Sequence, residues 1–416
     1  MASIVSDILT TEVAVIGGGI VGLGIAWEAR RAGHTVTVID PTPAAGATFA
    51  AAGMLAPVSE LHYQEEELLE LTLASAALWP DFVASLPAGL HTGFNTSPTL
   101  ILGGDPADRK ALSDLRDVQT LHGLEVAQLS IREARALEPM VGPHISCAYL
   151  VGSDHQVDPR AMAVALQEAL VAAAPASGRP HEGHPFVAEE AVGLLHEDPE
   201  DNRSAVTGVQ LADGRRVLAR EVIVANGLGA PKLHGLPEGL TLPVRPVYGD
   251  ILRLRVPGHL RPLTTATIRG MVRGLPVYIV PRDDGTVVIG ASSREDGSAG
   301  VSAGGVHQLL RDAQVLMPAV AELELIETTA RARPGTPDNA PLLGRVAGPG
   351  GRDVTGLIIA TGFFRHGVLL TPIAARITRQ LLTNITDLAW ERFRPDRFSH
   401  ARQPVRNAGP TTQEPS

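Results

Sequence analysis

The sequence predicts an α/β chain in which a parallel, helix-flanked sheet is interrupted twice by antiparallel segments. Three observations predict it. Val13–Asp40 reads as strand, glycine turn, helix and second strand. Two later apolar runs, within Arg220–Ala230 (REVIVANGLGA) and at Leu357–Thr361, also run into glycine-bearing turns. Between these lie short alternating segments with hairpin turns, the pattern of antiparallel strands.

The first unit is the most informative. Val13–Ile16 has the length of a buried parallel strand. Gly17, Gly19 and Gly22 form a G-x-G-x-x-G that opens the helix Ile20–Arg31. Gly24 and Ala26 are small enough to let that helix lie close to a sheet, and Gly33 stops it. Val36–Ile39 is the second strand, with Asp40 at its carboxyl end. A lone glycine fingerprint is weak. Here it opens a helix inside a βαβ unit of about 30 residues, with an acid about 20 residues on. Gly17 makes the turn, Gly19 admits a pyrophosphate, and Gly22 lets helix and strand touch. Asp40 can accept both hydroxyls of an adenosine ribose, and its charge disfavours a 2′-phosphate.

The bulk numbers bound the rest. The 416 residues allow two or three domains, and an apolar content of 44% supplies a core. A net charge of −10 with no long basic run argues against nucleic acid or an anionic membrane as partner. The single cysteine, Cys147, excludes an internal disulfide and any multi-cysteine metal site, and fits a reducing, cytoplasmic setting. The opening MASIVSDILT has neither the basic nor the apolar segment of a leader, so no leader and no membrane span are expected. No histidine motif for a metal and no P-loop occurs.

Further elements follow in order. Pro41–Glu60 is nearly uncharged and rich in small residues, suited to lying flat against something large. Glu65–Leu86 is an amphipathic helix carrying Trp79, with Glu65–Glu67 as a solvated first turn. Thr99–Leu102 and Ala148–Leu150 read as strands, Pro106–Leu121 and Ile131–Leu137 as helices. Asp158–Ala173 is a helix with Asp158 as N-cap and Pro159 at its first position. Ala174–Pro185 is a loop. Val206–Leu211 and Arg216–Leu218 form a hairpin around Asp213-Gly214. Pro243–Tyr248 and Ile251–Arg255 alternate like two strands, and Val277–Pro281 with Thr286–Ala291 form another hairpin. Gly305–Met317 and Gly367–Leu382 are helices, and the chain after Phe398 reads as a frayed tail. The expected division assigns 10–90, 149–243 and 331–398 to one domain, 91–148 and 244–330 to a second, and 399–416 to the tail.

Five segments carry a resemblance. VAVIGGGIVGLGIAW, GATFAAAGMLAP, VYIVPRDDGTVVIGAS, RARPGTPDNAPLLG and ATGFFRHGVLLTP occur in the order found in D-amino-acid-oxidase-type flavoproteins. Within these the chain most resembles the glycine oxidase branch of the thiamine pathway, over about residues 10–398. The resemblance implies a glutathione-reductase-type, Rossmann-like FAD-binding domain interleaved with an antiparallel-sheet α+β substrate domain. It implies non-covalent FAD, since Cys147 matches no tethering position. It further implies a small amino acid oxidised by O₂ to an imine with release of H₂O₂. A homo-oligomer, a tetramer by family analogy, and transfer of the product to a thiazole synthase are also implied.

Roles carry over by matched position. Gly17–Gly22, with Ile20 and Val21, would cradle the diphosphate, and Asp40 would hold the ribose. Ala47, Thr48, Ala52, Gly53 and Met54 would run beneath the flavin, with Met54 also facing the substrate. Val187 would contact the adenine side. Phe364, Arg365, His366, Gly367, Val368 and Leu369 would close over the flavin. Arg333 and Tyr278 would hold the substrate carboxylate, for which a planar guanidinium is suited. Arg331, two residues before Arg333, is the competing candidate. Ser293 and Pro276 depart from the branch near the substrate. His366 and Glu60 are near in motif terms, but neither spacing compels the role of a base. Competing readings are a sarcosine or D-amino acid oxidase or dehydrogenase, a flavin subunit of a larger dehydrogenase, and an NAD enzyme.

Overall fold

The computed structural model describes residues 8–63, 65–173, 185–348 and 351–399. The loop expected after Ala173 lies outside the described residues as far as 184, and so does the expected tail beyond Ser399.

Two eight-stranded sheets organise the chain. The first is built on Ile8–Ile16, whose last four residues are buried on both faces, as a central parallel strand requires. It pairs in parallel with Val36–Ile39 on one side and Arg216–Val224 on the other. Leu357–Thr361 and Phe186–Val187 extend the sheet in parallel, and Leu342–Gly344 caps one edge antiparallel. Arg216–Val224 is one nine-residue strand. Its start forms the expected hairpin with Val206–Leu211, and its end runs beside Ile8–Ile16.

Helix Ile20–Arg31 is buried along most of its length. Gly24 meets helices, not the sheet: a Cβ there would lie 2.4 Å from Thr371 Cγ2 and 3.4 Å from Phe82. The missing side chain lets helix Thr371–Leu382 cross close. Leu23, fully buried in this core, would cost about 2–5 kcal/mol if cut to alanine. Thr371–Leu382 begins later than the expected Gly367. Pro372 is tolerated only in a first turn, and a 3₁₀ turn, Phe364–His366, precedes it.

The second sheet has the order Glu324–Gly335, Arg245–Arg255, Thr286–Gly290, Leu275–Pro281, Thr267–Val272, Thr99–Gly103, Cys147–Val151, Ala127–Leu129. All its pairs are antiparallel except Thr267–Val272 with Thr99–Gly103. Helix Ala303–Leu316 covers one face through Leu309, Ala313 and Leu316. The two strands expected at Pro243–Tyr248 and Ile251–Arg255 are one. Gly249 and Asp250 stay extended and pair with Arg331 and Ala330. The divisions expected after 148 and 330 fall inside strands Cys147–Val151 and Glu324–Gly335, which continue the second sheet. Side-chain caps fix several helix starts. Asp158 accepts from Arg160 N–H at 2.9 Å, and Asp105 and Ser130 each form a capping box.

Candidate active site

A cavity of about 520 Å³ lies against the carboxyl ends of the central parallel strands and one face of the second sheet. Such clefts are where open α/β sheets take their ligands. Its two ends differ in construction.

One end is backbone. Gly17 has φ +107°, and a Cβ there would lie 2.6 Å from Ala225 O. The helix starting at Ile20 has Gly19 at its N-cap, which offers no side-chain cap of its own, and its N-terminus faces the cavity. Ile20 N–H donates to Thr48 Oγ1 at 3.0 Å, which ties the turn to the small-residue segment. Asp40 lines the same end, its oxygens accepting from Gly18 N–H at 2.7 Å and Thr42 N–H at 2.8 Å. Asn226 also lines it, with a buried Oδ1 that has no partner. This donor set suits a diphosphate and its ribose.

The floor is the stretch Ala47–Met54, small-residued as the sequence suggested. Two arginines hold it from below. Arg160 Nε donates to Phe49 O at 2.8 Å. Arg282, almost fully buried, donates to Ala52 O, to Val157 O at 3.3 Å and to Gln156 Oε1 at 3.0 Å. Burial lowers the Arg282 pKa to about 10, still charged at neutral pH.

The other end is side chains. Arg333 and Tyr278 both line it. Burial pushes the Tyr278 phenol up to about 12 against the pull of Arg333, so it stays protonated and can donate. Arg269 lies directly across from Tyr278 on the neighbouring strand and is ion-paired with Glu60. Burial alone would raise the Glu60 pKa, but the Arg269 and His366 charges bring it down to about 2. Asp154, fully buried, fixes the turn that carries Glu60 by accepting from Val58 N–H at 3.1 Å and Ser59 N–H at 2.8 Å. His62 lines the rim, where desolvation of its ring and the Arg365 and Arg269 charges lower its pKa to about 4. Arg365 is paired with Glu65, Nη1 to Oε1 at 3.1 Å, and Asn339 donates to the same oxygen at 2.9 Å. Glu65 is therefore held part-buried in a pair, while Glu66 and Glu67 are exposed as a solvated first turn. Phe364, beside it, holds φ +48°, unusual for a side-chain-bearing residue.

Most residues singled out in the sequence reach this cavity. Gly17, Gly19, Ile20, Val21 and Asp40 line one end, Ala47, Thr48, Ala52, Gly53 and Met54 the floor. Tyr278, Arg333, Phe364, Arg365, Gly367 and Val368 line the other. Pro276 and Ser293 line it too. Four residues do not. Gly22 faces inward, where a Cβ would meet Gly17 O at 2.0 Å, so it supports the turn from behind. Val187 is buried in strand pairing with Ile39. Leu369 is in the core, its carbonyl accepting from Ser75 and Trp79. His366 is buried behind Glu60, Nδ1 3.9 Å from Oε2, with burial and Arg365 lowering it to about 3. Sequence reading missed Arg269 and His62. The turn Arg273-Gly274, both at positive φ, was the available signal for Arg269. It closes a hairpin that sets Arg269 opposite Tyr278.

The glycine turn, helix N-terminus and small-residue floor suit a dinucleotide, and the chain belongs to the FAD-dependent oxidoreductase family, whose model matches residues 12–381. Among relatives, a bifunctional protein ThiO/ThiG of Trichormus variabilis is 31% identical over 396 residues, covering 94% of this chain and 55% of the relative. The chain thus spans about half the length of that protein. The glycine oxidase of Geobacillus kaustophilus is 31% identical over 379 residues, 89% of this chain and 92% of the relative. A crystal structure of glycine oxidase from that organism superposes with a TM-score of 0.80 at 29% identity, covering 94% and 99% of the two chains. Iminodiacetate oxidase from Chelativorans sp. BNC1 superposes at 0.78 and 25% identity, covering 92% and 99%. Among the described residues no helix is long and apolar enough to cross a membrane, and no cluster suits a metal ion.

Proposed function

We propose that this chain oxidises glycine, and secondarily other small amines bearing a carboxylate such as sarcosine or small D-amino acids, with O₂ as acceptor. The observation that carries the reading is the state of the cavity arginines. Arg269 and Arg365 are each committed to a glutamate. Arg331 is spent on the carbonyls of Ala45 and Ala330 and on the Phe49 ring. Among the described residues the Arg333 side chain makes one hydrogen bond, to Ser292 O at 3.4 Å. It is the cavity guanidinium left for an incoming carboxylate, and the protonated Tyr278 phenol is the second donor. The names of the relatives agree with this reading.

FAD, when bound over the Ala47–Met54 floor with its diphosphate at Gly17–Val21, supplies a two-electron acceptor. The chain's own residues do the rest. Arg333 and Tyr278 fix one end of the substrate, which turns its Cα towards the floor. The amine must lose its proton before oxidation. Entry into a small-residue, arginine-lined cavity lowers an ammonium pKa, through desolvation and like charge. Glu60 is bound to Arg269 and His62 is held neutral at the rim, so neither is required to be a strong base. We propose that the imine product leaves for thiazole assembly, in line with the fused relative. A homo-oligomer and a cytoplasmic setting complete the reading.

The test is anaerobic addition of glycine, sarcosine and D-alanine to the flavin-loaded protein, then air. Bleaching by glycine, with recovery in air and release of H₂O₂, is expected. No bleaching by any of the three, or bleaching that air does not reverse, would overturn the reading.

A further inference from the structure

We propose that Gly249 and Gly290 are positioning residues for Arg333 and Tyr278, an inference that rests on the carboxylate reading of those two side chains. Neither glycine is at a turn. Gly249 lies inside strand Arg245–Arg255, opposite Arg331, and Gly290 ends strand Thr286–Gly290, opposite Tyr278. Neither has a positive φ. Gly249 lies in regular strand pairing, where glycine weakens a strand, so its reason lies above the sheet. Gly290 precedes a cis peptide bond to Ala291, and it too has a side chain above it.

There, each glycine has one substrate-end side chain lying on it. A Cβ on Gly249 would lie 2.4 Å from Arg333 Nη1, 2.5 Å from Nη2 and 2.7 Å from Cζ. All three nearest atoms belong to the one guanidinium. A Cβ on Gly290 would lie 2.3 Å from Tyr278 Oη and 2.5 Å from its Cζ, with Ile251 Cδ1 at 2.6 Å. Both functional groups thus lie flat on the second sheet, each over a gap left by a missing side chain. The cavity above them is the space this creates. Carbon and nitrogen atoms settle about 3.5–4 Å apart, so an added methyl lifts the guanidinium by about 1 Å. A shift of about 1 Å in a positioned group can cost on the order of 100-fold. At Gly249 the atoms displaced are the tip of a flexible side chain, not backbone. The fold therefore tolerates the methyl, and the change falls on the substrate contact.

The experiment compares Gly249→Ala, Arg333→Ala and the double variant, all flavin-loaded. It reads glycine kinetics, and the affinity of glycolate, a carboxylate without an amine, from its perturbation of the flavin spectrum. Gly249→Ala is expected to raise glycine KM and glycolate Kd about 10- to 100-fold, with a far smaller change in kcat and an unchanged FAD content. The double variant should be no worse than Arg333→Ala, because nothing is left for the methyl to displace. Gly290→Ala, measured against Tyr278→Ala, should behave in the same way. Glycolate binding at parental strength in Gly249→Ala, while Arg333→Ala has lost it, would overturn the inference and leave the carboxylate reading standing. Effects that multiply in the double variant, or a Gly249→Ala protein that cannot hold FAD, would also overturn it. Unchanged glycolate binding in Arg333→Ala would instead sink the carboxylate reading, and this inference with it.

Discussion

The two ends of the cavity are made of different material. The dinucleotide end is backbone and small side chains: Gly17, Gly19, the helix N-terminus at Ile20 and the Ala47–Gly53 floor. The substrate end is a set of charged and phenolic side chains gathered from Glu60, Arg269, Tyr278, Arg333 and Arg365. The first recognises what every member of such a family shares. The second is a network of pairs in which one guanidinium is left without a carboxylate. Damage to the first should cost the cofactor, and damage to the second should cost the substrate.

The largest effect tests the backbone end. Gly17→Val should give protein without flavin colour. The residue holds φ +107° with Ala225 O where the new Cβ would be. Left-handed backbone alone costs a non-glycine residue about 1–3 kcal/mol, and a branched side chain adds the clash. The ratio of visible to ultraviolet absorbance after purification reads the result. Full flavin occupancy in this variant would break the comparison at its first term.

Next in size is Arg333→Ala. Charge-assisted hydrogen bonds contribute about 1.5–3 kcal/mol each, so losing a two-point grip should raise glycine KM by about 10²–10⁴-fold. FAD should stay bound, since the dinucleotide end is untouched. A KM within threefold of the parent, roughly 0.7 kcal/mol, would show that the carboxylate goes elsewhere.

The same contrast explains what could be read from the sequence. The place of Gly17, Gly19, Asp40 and the floor at the cavity was legible because it follows from local backbone geometry, within about 40 residues of chain. Arg333 and Tyr278 were legible only through family resemblance. Arg331 and Arg333 stand two apart on one strand, which puts both on the same face. What separates them is which carbonyls and rings reach them, and those come from Ala45 and Phe49, almost 300 residues away. Arg269 was missed because its place depends on a hairpin register. Glu65 was misread as solvated because its partner, Arg365, lies 300 residues on. Val187 and Leu369 were given cofactor roles from position alone, and packing turned both into the core.

A smaller effect distinguishes the two ends by pH. The Glu60 pKa falls from 4.5 to about 2 on folding. A carboxylate lowered in this way stabilises the fold fully above pH 4.5, and the contribution is lost as pH falls towards 2. Its size is about 3 kcal/mol, at roughly 1.4 kcal/mol per unit. His366 is lowered from 6.5 to about 3 and acts in an overlapping window. Its unfolded form takes up the proton first, so stability declines as pH falls from 6.5 towards 3. Thermal melts against pH should show His366→Leu flattening the decline that begins near 6.5. Glu60→Gln should flatten only the part below 4.5. Identical melting profiles for both variants and the parent would remove the charged network from the account.

The smallest predicted effect is the sharpest on the substrate end itself. Arg331→Ala removes a guanidinium that lines the same cavity and carries the same charge as Arg333. Its Nε is held by Ala45 O at 3.1 Å, its Nη1 by Ala330 O at 2.9 Å, and its plane lies over Phe49. It is also exposed, so its field at the substrate is weakened by water. If partners and not charge decide which arginine binds, glycine KM should rise no more than about threefold, the scale of an exposed ion pair. FAD affinity should fall by a similar small factor, because Arg331 braces the floor through Ala45. Equal losses of glycine binding in Arg331→Ala and Arg333→Ala would mean that the cavity attracts its substrate by summed positive charge, with no single guanidinium reserved for the carboxylate.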